Sequence, residues 1–203
     1  MSNFRIFFFI ALIVYSITLL SVEKHTSQDF VRNFFTDIEG PPGNPVFFYA
    51  INTSLSVFML WSTALIFAVC LLCLEQLKAQ LERGFYFSQI GLFVWLGFDD
   101  RFLVHEHLSH WVGEGYIMIS LVLLEIYFLI TLGQLNKQPK SAVVYLGMGA
   151  IFTGIMLVID LFLPSQMVLR LSAEDLSKLW GTFFLFLFAW EILKYKIQQL
   201  RQN

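Results

Sequence analysis

The stretch SAVVYLGMGAIFTGIMLVIDLFL, residues 141–163, carries one charge, Asp160, in an otherwise apolar run. As a helix rising 1.5 Å per residue it would extend about 35 Å, enough to cross the roughly 30 Å hydrocarbon core of a bilayer. Apolar runs of the same kind occupy 5–22, 45–74, 85–104, 115–135 and 173–194. The charged residues fall mainly between them, as wet connections alternate with spans. No run alternates with period two as a membrane strand would. The predicted fold class is therefore all-α: a polytopic transmembrane helix bundle of about six spans, with residues 1–203 as a single integral membrane domain. Composition agrees, with 57% hydrophobic and 14% charged residues and a mean hydropathy of +0.68. A water-soluble globule of this length could not hide that much apolar surface.

The ends of these runs supply their boundaries. Arg5 precedes the uncharged run Ile6–Val22, and no small-x-small cleavage site precedes Glu23, which predicts a retained first helix. Phe30, Phe34 and Ile38 share a stripe, as in a helix lying on the membrane surface. Asn44 and Pro45 have the chemistry of a helix start, and the segment 75–83 would continue that helix into water until Gly84. Pro164 ends the fifth run, and Ser172 with Asp175 has capping-box spacing for the sixth. With the amino terminus inside, Arg5, Lys78, Arg83, Lys137, Lys140, Lys194, Lys196 and Arg201 are cytoplasmic, against Lys24, Arg32, Arg101, Arg170 and Lys178 outside. That excess predicts both termini in the cytoplasm.

A net charge of -2 provides no basic field, which argues against nucleic acid as a partner and leaves membrane lipid as the main one. A membrane-protein partner or a second copy of the chain is compatible with the apolar faces. Cys70 and Cys73, one turn apart inside an apolar run, read as small core residues.

Ligand-type side chains concentrate in one place, Asp99, Asp100, His105, Glu106, His107 and His110, at the outer end of the third span. At roughly 100° per residue a continuing helix would bring Asp99, Glu106 and His110 onto one face, with Asp100 and His107 beside them. Arg101 and His105 project the other way, so either the helix breaks near Val104 or His105 serves separately. Imidazole and carboxylate ligands suit a divalent transition metal, Zn, Fe or Mn. Neither His-Glu-x-x-His nor Glu-x-x-His is met, since His110 comes one residue too late in both. Glu125 lies mid-span, where an acid is functional by default, and Asp160 lies near the outer end of the fifth span. Asn52, Ser56 and Thr63 form a polar stripe on the second, and Glu191 has Lys194 one turn away for a local ion pair.

The segment from Leu96 to Glu106, an acidic pair followed by an apolar run and His-Glu, resembles one found in uncharacterised bacterial polytopic membrane proteins. The resemblance covers those residues alone, implies a bacterial inner-membrane setting and brings no activity with it. A looser analogy is to the membrane metal hydrolases that include alkaline ceramidases, although their His-x-x-x-His pair and seventh span are missing here.

The function expected from these residues is metal-dependent hydrolysis of a lipid-type substrate within the membrane. Asp99, His105, Glu106, His110 and Asp160 supply metal ligands, and Asp100, His107 and Glu125 are the catalytic candidates. The alternatives are a proton- or cation-coupled transporter using Glu125, and a non-catalytic membrane subunit.

Overall fold

The computed structural model describes residues 3–36, 50–74, 80–104, 107–108, 114–164 and 167–202. Among these, every regular element is helical: α1 (Asn3–His25), α2 (Gln28–Val31), α3 (Ile51–Leu72), α4 (Gln80–Phe102), α5 (Glu114–Thr131), α6 (Lys140–Phe162) and α7 (Arg170–Gln202). A π turn, Arg32–Thr36, follows α2, and a 3-10 turn, Leu135–Lys137, precedes α6. Four of the helices, α1, α3, α6 and α7, are long and apolar enough to cross a membrane. That is fewer than the expected six among the described residues. In α4, Glu82 and Arg83 at one end, Asp99, Asp100 and Arg101 at the other and Gln89 between them dilute the apolar run. In α5 the apolar portion is short, Ile119–Thr131.

Three boundaries also differ. The helix α3 stops at Leu72, and a new helix starts at Gln80 and runs through Gly84; 75–79 lie outside the described residues. Ala50, at φ 51°, is not helical, so α3 begins at Ile51 rather than at Pro45, which lies outside the described residues. Leu103 adopts φ 52° and ends α4, the left-handed conformation that closes many helices.

The chain falls into two units, one formed by 1–53 and 153–179, the other by 54–152 and 180–203. In the second unit the core is built around Phe67. Its ring lies 5.8 to 6.1 Å from those of Phe85, Tyr86, Phe93 and Phe188. Such pairs contribute about 0.5–1.5 kcal/mol each beyond their burial. This packing and the hydrogen bonds between helices hold the unit together. Cys70 lies in the same core, and both cysteines are free thiols.

Small residues set two close approaches in that unit. A Cβ on Gly149 would lie 2.9 Å from Leu185 of α7, and one on Gly97 would overlap the Trp61 indole at Nε1. Replacing Gly97 with Ala must therefore push the Trp61 indole off α4. We expect a loss of about 1–3 kcal/mol, read as a lower melting temperature in detergent micelles. A variant melting with the wild type would show that the indole is not packed there.

In the first unit the buried stripe of α1, Leu12, Leu19 and Glu23, ends in a carboxylate. Glu23 Oε2 accepts from the backbone N–H of Ser172, 2.9 Å away, at the start of α7. It is a cap supplied by another helix, satisfying an orphan donor and complementing the positive end of the helix dipole. The capping box expected within α7 is not formed: the Ser172 hydroxyl is buried without a hydrogen-bond partner. Replacing Glu23 with Ala should cost about 1–2 kcal/mol of stability. Protection of the Ser172 amide against hydrogen exchange should drop with it; unchanged protection would discard the cap.

Ser27 caps the short helix α2, and Phe30 stacks near Phe34 at 4.5 Å, so the aromatic stripe exists over the described part of that segment. Ile38 lies outside the described residues.

Candidate functional site

The second unit contains an acid inside its apolar helices. Glu125, on α5, accepts from the side-chain amide of Gln89 on α4, whose Nε2 lies 2.9 and 3.0 Å from the two carboxylate oxygens. Gln89 belongs to the inward stripe of α4, between Phe85 and Tyr86 on one side and Leu92 and Phe93 on the other, and is 0% exposed. Its Oε1 is buried with no hydrogen-bond partner. The partner of Glu125 is thus neutral: an amide satisfies both carboxylate oxygens geometrically but brings no positive charge.

The outer cluster resolves into separate groups. Asp99, near the end of α4, is 5% exposed. Asp100 accepts from the hydroxyl of Ser56 on α3. His107 lies beyond the break at Leu103, is exposed and turns its Nδ1 toward the Leu103 carbonyl at 2.9 Å. His105, Glu106 and His110 lie outside the described residues. Because α4 ends at Phe102, the helical projection that aligned Asp99 with Glu106 and His110 does not hold. Gln89 and Asp99 are ten residues apart, about 15 Å along the axis of α4, so Glu125 and Asp99 stand too far apart to share one ion. Among the described residues no three His, Cys, Asp or Glu side chains gather closely enough to hold a metal.

Asp160 belongs to the first unit, where it is engaged by Arg170. The guanidinium donates to Asp160 Oδ1 and to the Asp160 carbonyl, both at 3.1 Å, and to the Leu163 carbonyl at 3.2 Å; it also pairs with Glu174 at 3.1 Å. Asn52 donates to the Asp175 carbonyl at 3.2 Å. In the second unit Thr63 bonds back to Met59, and Glu191 pairs with Lys194 at 3.2 Å as its spacing predicts, with Ser141 adding a hydrogen bond at 2.9 Å. The whole polar stripe of α3 is buried.

Gln89, Arg170 and Glu23 are the residues that sequence reasoning did not single out. For Gln89 a signal existed, since it is a carboxamide on the apolar stripe of a helix otherwise packed through aromatic rings.

A family model described as a domain of unknown function (DUF8692) matches residues 5–192. The chain belongs to that family. The match spans nearly every helix, α1 through most of α7, including Gln89 and Glu125. No curated protein and no solved structure matches the chain. The family match carries no link to alkaline ceramidases or other membrane metal hydrolases, and that analogy has no further support.

Proposed function

We propose that this chain is an integral membrane protein that binds a proton or a small cation at the Glu125–Gln89 pair and uses it to drive transport. The observation that carries this reading is an acid held between apolar helices, among the described residues, by a neutral amide. An ionised carboxylate at such depth is costly unless it takes up a proton or a cation, and intramembrane acids of this kind typify proton relays and ion pathways.

Gln89 suits that role chemically. With its NH2 toward Glu125 it solvates the carboxylate; after a half-turn of the amide plane its oxygen faces the same group. It then accepts from a protonated acid, or shares a cation with the carboxylate. Both forms of Glu125 are thereby served by one neutral partner, which a lysine or arginine could not do. The four long apolar helices favour a membrane location, and the excess of Lys and Arg on one side favours both termini in the cytoplasm.

The test is flux in proteoliposomes with a proton or Na+ gradient imposed. Loss of flux on replacing Glu125 with Gln supports the reading; undiminished flux removes it. Lipid hydrolysis by a bound transition metal is the weaker alternative, because the ligands it needs are not gathered among the described residues.

A further inference from the structure

The second unit contains a cavity of about 680 Å³ where the start of α4, the turn between α5 and α6 and the end of α7 meet. That is the size of a site for a small ligand or a headgroup. Its lining is divided by chemistry. Phe85, fully buried, and Leu132 supply an apolar floor; Lys137, Tyr195, Gln134 and the ion-paired Glu82 and Lys196 supply polar atoms. The wall formed by the turn is pinned where Gln138 donates to the Gly133 carbonyl at 3.1 Å. Gln134 takes a left-handed conformation at φ 41° and makes no capping bond with its side chain.

The charge here has one sign in excess. Among the described residues at this end of the unit, Arg83, Lys137, Lys140, Lys194, Lys196 and Arg201 outnumber Glu82 and Glu191. Glu82 is already bonded to Lys196, and Glu191 to Lys194. Lys137 is exposed on the rim and makes no ion pair among the described residues. An apolar floor beneath a rim with a spare cation matches a molecule with a phosphate at one end and a hydrocarbon stem at the other. Basic pockets between helices that adjoin an anionic membrane surface take such headgroups.

We infer that this cavity binds a phosphate ester, held at Lys137, with the ester's carbon stem laid on Phe85 and Leu132. The inference uses the membrane setting of the proposed function but not its transport step. Two sources share that chemistry, an anionic phospholipid and a soluble phosphate ester.

The test is native mass spectrometry of the full chain in detergent, titrated separately with phosphatidylglycerol, with phosphatidylcholine of the same acyl chains, and with glycerol phosphate. Phosphatidylglycerol adducts are expected to persist where phosphatidylcholine adducts do not. Lys137→Gln should weaken the phosphatidylglycerol adducts about fivefold, the ~1 kcal/mol that one lysine contributes beside an anionic headgroup. Lys140→Gln, at the same end but outside the cavity, should leave them unchanged. Saturable, Lys137-dependent retention of glycerol phosphate would uphold the site and assign it to a soluble ester. Equal retention of the two lipids, or equal loss in the two lysine variants, would overturn the proposal, since either reflects diffuse surface charge. Lys137 is exposed and unpaired, so its variant folds and the outcome is readable. Adducts that survive in Glu125→Gln while its flux disappears would separate this site from the transport reading.

Discussion

Replacing Glu125 with Gln is expected to abolish gradient-driven flux, a loss of at least about 100-fold, while the protein still folds and inserts. The physical reason lies in what each variant leaves behind. A glutamine at 125 keeps the shape of the carboxyl and can still pair with the Gln89 amide, so the contact between α4 and α5 survives. What disappears is the only group of that pair able to bind a proton or compensate a cation. Replacing Gln89 with Leu should do the opposite: it keeps the acid but strips it of its hydrogen-bond donor. A buried acceptor left without its donor costs about 1–3 kcal/mol. Gln89→Leu is therefore expected to melt lower than Glu125→Gln, and Glu125→Gln in the Gln89→Leu background should restore stability without restoring flux. The decisive comparison is the pair of single variants measured both ways. If Glu125→Gln destabilised the chain more than Gln89→Leu and left flux intact, the carboxylate would be a packing element and the transport reading would fail.

The contrast between these residues also explains what the sequence could reveal. Glu125 is the sole acid in its apolar run, so its anomaly was visible from composition alone. Gln89 adds no charge, barely alters the run around it, and acquires meaning only when α4 turns it toward α5. For α6 the reading was almost complete, 141–163 against the observed Lys140–Phe162, because an apolar run whose one charge is Asp160 lies between Lys140 and Pro164. The helix α4 was less legible. Its polar ends belong to the helix yet dilute its apolar character, and Gly84, read as a stop, is absorbed at modest cost in a helix fixed by tertiary packing.

For the outer cluster two readings were open, a helix that persists and a break near Val104. The alignment of Asp99 with Glu106 and His110 assumed that the helix persists, but it stops where Leu103 takes a left-handed conformation. Leucine rarely occupies that region, and no glycine or asparagine marks the site. Nothing local in the chain announces that turn. Asp160 was legible as an acid near a span end, but its partner was not: Arg170 lies ten residues on, past Pro164, and the spacing alone does not place a guanidinium against it.

That partner leads to the second large effect. Arg170→Ala is expected to cost about 3 kcal/mol, at the low end for a broken buried pair because Asp160 and Glu174 retain partial access to solvent. In a chain of this length that corresponds to a fall in melting temperature of about 6–12 °C. The size follows from the number of groups left without a donor or an ion-pair partner. The guanidinium serves the Asp160 carboxylate, the Asp160 and Leu163 carbonyls at the end of α6, and the Glu174 carboxylate one turn into α7. The Asp160 carbonyl is among the last of α6 and Leu163 lies just past its end, so neither has an intrahelical donor of its own. Lysine in place of Arg170 should recover less than half of the loss, since a single ammonium cannot span two carboxylates and two carbonyls as a planar fork does. Replacing Asp160 with Asn and Glu174 with Gln in the Arg170→Ala background should recover part of it, because the residual cost is then unmet hydrogen bonding rather than uncompensated charge. Circular dichroism melts of the four proteins in one detergent decide the matter. An Arg170→Ala protein as stable as the wild type would mean that Asp160 and Glu174 are adequately solvated without the guanidinium, and Asp160 would then be free to serve as a ligand rather than as one arm of a structural clamp.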